Sequence, residues 1–218
     1  MVPEGDLAIA VLAAGSGRRF GVEKQFEELV PGRRLVDVAV STAKAVCERV
    51  VLVLPSGSTW DGEPVDRVVT GGESRIDSTR SALRALDPMP AVLVVHDAAH
   101  PLAGTELILS LVEAVRDGAD AAVPIVPLVD VVKRVTDSGE LVTVGRNGLM
   151  MAQAPMAFST QSLTQALATQ GGHDVWEDSM LIEQSGGMVV GVPGSEQIIH
   201  VVTPAHLELA RRLGNWEA

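Results

Sequence analysis

Cysteine is almost absent from this chain. Cys47 is the only one among 218 residues, which excludes an internal disulfide and a thiolate metal cage. In a helix-like stretch, a lone cysteine reads as a small buried hydrophobe rather than a nucleophile. Positive charge is also scarce: 17 Lys and Arg stand against 28 Asp and Glu, a formal net charge of −11. Gripping nucleic acid by its phosphates needs a basic face, so nucleic acid is not an expected partner. Met1 to Asp6 is acidic where a secretory signal would be basic, and the apolar run Leu7 to Ala14 is too short to span a bilayer. The expectation is a cytoplasmic enzyme with no membrane partner, built as one α/β domain over residues 1–218.

Short β-branched runs alternate with amphipathic stretches, the pattern of a mostly parallel sheet with helices packed on it. Strands are expected at Leu7–Leu12, Val50–Leu54, Arg67–Val69, Ala91–Val95 and Ala121–Val126. Helices are expected over Leu35–Cys47, Ile76–Leu86, after Thr105 as a cap, and from Ser159 or Thr160 to about Gln170. Val131–Val135 and Leu141–Val144 flank a turn at Asp137-Ser138-Gly139 and read as a β-arm, about 131–144. A two-stranded ribbon is weakly stable alone, so it is expected to pack on the body or on a second subunit. Strands at Met188–Val192 and Ile198–Val202 and a helix opened by Thr203-Pro204 complete the chain.

Ligands of an open parallel sheet lie beyond the carboxyl ends of its strands. Three features fall there: Ala13-Ala14-Gly15-Ser16-Gly17-Arg18-Arg19, Gly71-Gly72, and Asp97. Glycines let the backbone approach a phosphate, and successive N–H groups form an anion-binding concavity. The segment lacks the Walker A pattern and the third glycine of a dinucleotide fingerprint. With Arg18, Arg19 and Lys24 close behind in an acidic chain, it points to phosphate; taken singly, Lys24 is equally a solvated surface lysine. Asp97 ends a hydrophobic strand and reads either as a Mg2+ ligand beside a triphosphate or as a turn aspartate. His96 and His100 could suggest a metal pair, but an extended-to-turn segment does not present them as a helical i, i+4 pair would, and neither an HExxH motif nor a nucleophile elbow is present. Glu177 and Asp178 either flank a site or charge a helix start.

In this order these motifs resemble the 2-C-methyl-D-erythritol 4-phosphate cytidylyltransferase family, among the sugar- and polyol-phosphate nucleotidyltransferases. The resemblance spans nearly the whole chain and rests also on Lys24-Gln25, Gly71-Gly72-Glu73-Ser74-Arg75, Ser78, His96-Asp97-Ala98-Ala99 and Arg146-Asn147-Gly148-Leu149. It implies the nucleotidyltransferase fold, a Rossmann-like sheet with a protruding arm. It also implies transfer of CMP from CTP to a polyol phosphate in isoprenoid precursor synthesis, with Mg2+ and a homodimer whose arm reaches the other subunit's site. Arg19 and Lys24 would stabilise the transition state, and Asp97 would help hold the metal. Ala13, Ala14, Gly15, Gly17, Gly72, Glu73 and Ser78 would line the nucleotide pocket; Arg146, His100 and His200 would meet the acceptor.

The departures lie on the acceptor side. His100 stands where the family has arginine, His200 where it has lysine, Val131 where it has threonine, and Gly145 where it has aspartate. Gln153-Ala154-Pro155-Met156 replaces Gln-Thr-Pro-Gln, and Trp176-Glu177 a Thr-Asp pair. Histidine lacks arginine's fork and is only partly charged near neutrality. Alternatives are therefore a related nucleotidyltransferase with another acceptor or nucleotide, or a nucleotide-binding relative with little catalysis.

Overall fold

The computed structural model describes residues 6–15, 17, 20–169, 175–214 and 216. The first strand, β1 (Leu7–Leu12), is buried along its whole length, so its six apolar residues face core on both sides of the sheet. Leu7, Ile9 and Val11 enter one apolar cluster, Ala8, Ala10 and Leu12 the other. A 3-10 turn (Lys24–Phe26) and a short ribbon, β2 (Glu28–Val30) with β3 (Arg33–Arg34), precede helix α1 (Leu35–Lys44). Then come β4 (Val50–Leu54), β5 (Arg67–Thr70), α2 (Arg75–Arg84), β6 (Val92–Asp97), α3 (Thr105–Arg116) and β7 (Ala121–Pro127). The arm is β8 (Val132–Val135) and β9 (Leu141–Val144). The chain ends with β10 (Met150–Ala152), β11 (Met156–Ser159), α4 (Thr160–Thr169), α5 (Asp178–Gln184), β12 (Val189–Pro193) and α6 (Pro204–Leu213).

The main sheet has eight strands in the order β10-β7-β11-β6-β1-β4-β5, with β12 also on β7. The pairs β1–β4, β1–β6, β4–β5 and β7–β12 are parallel; β11 runs antiparallel between β6 and β7, and β10 antiparallel to β7. From β1 the chain winds outward to β4 and β5, then returns to lay β6 on the other side of β1. That reversal opens a crevice at the carboxyl ends of β1 and β6, where such sheets take ligands. Leu12 and Asp97 lie opposite one another in the register.

Two expected details differ. Ile198–Val202 is not a strand: it has no strand neighbour and its polar groups are met piecemeal. The Gln153 amide donates to Ser195 O and Ile198 O at 2.8 and 3.0 Å, Val201 N donates to Ala99 O, and Val202 N to His206 Nδ1. Gly104, not Thr105, caps α3, and Thr105 is its first helical residue. Thr203 does cap α6, its side chain accepting from His206 N with Pro204 in the first turn. Among the described residues the strands of the arm pair only with each other, and Val131, Val135, Leu141 and Val142 are exposed. Among the described residues, no helix is long and apolar enough to cross a membrane.

Candidate active site

Past Leu12 the chain is held against the sheet rather than released. Ala13 N donates to Val53 O at 2.8 Å and Ala98 N to Leu12 O at 3.0 Å. Gly17 has φ +61°, and a Cβ there would stand 1.7 Å from Val22 O, so the turn admits only glycine. Gly71 does a different job: its Cβ would fall 2.3 Å from the Cβ of Ala14. The loops after β1 and β5 therefore pack in contact, closer than any side chain would permit.

Beyond Gly71-Gly72, helix α2 starts with its amino end toward the crevice. Ser74 and Asp77 form a reciprocal cap, Asp77 N donating to Ser74 Oγ at 3.1 Å and Ser74 N to the Asp77 carboxylate at 3.3 Å. Ser78 Oγ donates to Ser74 O and accepts from Gly72 N at 3.2 Å, which fixes the glycine loop to the helix. Helix amino ends attract phosphate through unpaired N–H groups and dipole.

These elements enclose a pocket of about 460 Å³. Ala14, Gly15 and Lys24 line it from the first segment, Gly72, Glu73 and Ser78 from the second, and Asp97 from β6. Ala13 and Gly17 do not: Ala13 is buried with its N–H spent on Val53, and Gly17 shapes the turn. Arg19 lies outside the described residues. Lys24 donates from Nζ to Val201 O at 2.7 Å and lies 3.4 Å from His200 Nε2. His100, next to the lining residue Ala99, stacks on His200 with ring centroids 4.5 Å apart. Arg146 is not at this pocket; at the foot of the arm it donates to Val129 O.

The electrostatics explain why Asp97 is ionised. Burial pushes its carboxyl up, but His100 once acid has protonated its ring, the Arg75 guanidinium and the Ala99 N–H outweigh this and hold it well below the usual carboxylate range; Arg75 is the permanent cation among them. Ala99 N donates to one carboxylate oxygen at 2.9 Å, and Arg75 Nη1 to the other at 3.3 Å. Burial depresses His100 to about 3 and His96 to about 4, so both rings are neutral near pH 7. Cys47, half-buried and pushed up to about 11 mainly by desolvation, is no nucleophile.

Three features of the site were given no role by the sequence, although Gln25, Arg75 and Asp178 lie in segments it singled out. Arg75 bridges Asp97 to the fully buried Asp178, donating from Nε at 2.7 Å, while Thr79 Oγ1 donates to the same carboxylate at 2.7 Å. Asp178 thus supports the lining residue Arg75 from behind as well as opening α5. Gln25, buried, lines the pocket beside Lys24. The third is the nearness of His100 to His200, a hundred positions apart in the chain. Its only sequence signal was that both depart from the same motif set.

The sequence pattern of the 2-C-methyl-D-erythritol 4-phosphate cytidylyltransferase family matches residues 7–213. The chain belongs to this family. A 2-C-methyl-D-erythritol 4-phosphate cytidylyltransferase of Frankia casuarinae is 34% identical, the match covering 95% of this chain and 80% of that protein. Its counterpart in Streptomyces avermitilis is 36% identical over 95% and 92% of the two chains. The crystal structure of the Thermus thermophilus cytidylyltransferase superposes with a TM-score of 0.81 at 27% identity, covering 94% of this chain and 97% of that one. The mostly parallel sheet flanked by helices is this family's nucleotidyltransferase fold.

Proposed function

We propose that this chain transfers CMP from CTP to 2-C-methyl-D-erythritol 4-phosphate, a step of isoprenoid precursor synthesis, and releases pyrophosphate. The observation that carries this is the convergence of Gly15, the Gly72–Ser78 helix start, Lys24 and Asp97 on one pocket. An acceptor phosphate oxygen attacks the α-phosphorus of CTP, the bond from that phosphorus to the pyrophosphate oxygen breaks, and pyrophosphate leaves with the negative charge. No covalent enzyme intermediate is required; positioning and charge stabilisation supply the rate.

The glycine turn and the α2 amino end receive phosphates through backbone N–H groups, with Ser78 keeping the Gly72 loop in shape. Lys24, anchored by Val201 O, holds its charge at the mouth of β1, and Arg19 adds a second cation. Asp97 fits a magnesium role, because its carboxylate is ionised and faces the pocket. Mg2+ there would neutralise phosphate charge, filling its remaining positions with phosphate and water oxygens. Arg146 and the exposed apolar arm serve the pocket of a second subunit in a cytoplasmic homodimer. The neutral His100 beside His200, where the family has cations, favours one second reading: transfer to a different phosphorylated acceptor.

A coupled pyrophosphate assay of four nucleoside triphosphates against polyol and sugar phosphates tests both readings, with sedimentation of the same preparation reporting the dimer. Turnover that needs CTP and methylerythritol phosphate together is expected. Turnover only with another acceptor moves the assignment to the second reading, and none with any pair removes catalysis.

A further inference from the structure

At the carboxyl end of β6 three ligating side chains converge. Asp97, His100 and His200 each bring one donor atom within 4.8 Å of the other two. Two imidazoles and a carboxylate form a donor set suited to zinc and its divalent transition-metal neighbours, whereas magnesium and calcium favour oxygen alone. His100 is only 9% exposed and its Nδ1 has no hydrogen-bond partner. A buried polar atom left so is costly, which a structure tolerates where the group serves a ligand. We propose that Asp97, His100 and His200 bind a divalent transition-metal ion of the zinc class beside the nucleotide pocket.

The local geometry allows closure. Zinc–nitrogen bonds of about 2.0–2.1 Å bring tetrahedral donors to roughly 3.4 Å of one another. His200 is exposed, so its ring can swing inward, while Asp97 and His100 are held by the turn in which His100 N donates to Asp97 O at 2.9 Å. Three protein ligands leave a fourth position for water or an anionic oxygen, as in zinc sites that do chemistry. Arg75 and Lys24 border the site, at 3.3 Å from Asp97 and 3.4 Å from His200. Those cations oppose a bare ion, and an arriving phosphate offsets all three charges at once.

What the ion does there rests on the cytidylyltransferase reading, although its binding does not. Imidazoles carry no fixed positive charge, and a divalent ion held by His100 and His200 supplies one beside the phosphates. Asp97 would then help hold this ion as well as a nucleotide-borne Mg2+.

The test is titration of the full chain with cobalt(II), followed by visible ligand-field absorption, and with zinc by calorimetry. One equivalent per chain is expected. His200→Gln and His100→Gln should each weaken binding by at least about tenfold, and His206→Gln should leave it unchanged. His200→Gln decides alone if the buried His100 variant fails to fold, because position 200 is exposed. Absence of binding, or equal affinity in folded wild type and His200→Gln, overturns the proposal. Stoichiometric binding without transfer to any acceptor would keep the metal site and remove the activity, so the two readings fail separately.

Discussion

At the scale of single residues, an anchored charge behaves differently from a mobile one. The Lys24 ammonium donates to Val201 O, so less side-chain entropy is left to lose when phosphate arrives. A donor preset toward developing charge contributes on the order of 10²–10³ in kcat. Lys24→Ala is therefore expected to lower kcat at least about a hundredfold with little change in thermal midpoint, read from steady-state kinetics and a melting curve. A near-wild-type rate would remove Lys24 from the chemistry. Residues of this kind were legible in the sequence because they follow a glycine turn at short range. Arg75 was not, since its meaning comes from Asp178, 103 residues away.

Secondary elements were read most accurately where burial on both sheet faces wrote itself as an apolar run. Val50–Leu54, Leu7–Leu12 and Ala121–Pro127 all have this form. β10 and β11 escaped notice because three or four residues carry no periodicity, and Ala154-Pro155 lies between them. Ile198–Val202 misled for the opposite reason. Its apolar content looks strand-like, yet the segment threads past the end of β6, where Val201 N donates to Ala99 O, and Gln153 holds its start through Ile198 O and the preceding Ser195 through two further hydrogen bonds. The same scale holds a stability prediction. Asp178 is fully buried and ties α5 to Arg75 and Thr79 of α2. Removing one member of a buried ion pair costs about 3–5 kcal/mol, so Asp178→Ala should lower the unfolding free energy by about that amount in urea. A loss under about 1 kcal/mol, the usual worth of a surface pair, would mean that the pair does not hold α5.

For the molecule as a whole, acid is the expected weakness. His96 is fully buried, neither ring nitrogen has a hydrogen-bond partner among the described residues, and burial lowers its pKa from 6.5 to about 4. Between these values the unfolded chain binds a proton that the folded chain refuses, so stability falls as pH drops from 6.5 toward 4. His96 alone accounts for up to roughly 3 kcal/mol, and His100, depressed to about 3, adds in the same direction. The thermal midpoint should decline over this window, and His96→Leu should flatten the decline while leaving stability at pH 7 equal or higher. An unchanged acid limb in that variant would place the sensitivity elsewhere. The overall topology was legible from alternation of strand and helix. What was hidden is how the second half of the chain returns to the first, which depends on side chains meeting across the crevice.

Arg75 has one guanidinium and two masters, Asp97 at the pocket and Asp178 at the root of α5. Free energy depends on state and not on path, so coupling between these carboxylates is reciprocal. A ligand that engages Asp97 leaves the guanidinium more fully to Asp178, so it is expected to make the local opening of α5 rarer, although that helix is on the far side of the guanidinium. Saturating the pocket with CTP and magnesium should then protect the α5 amides from hydrogen exchange more than those of α4. Occupancy of the nucleotide site becomes readable from a helix that α2 links to it.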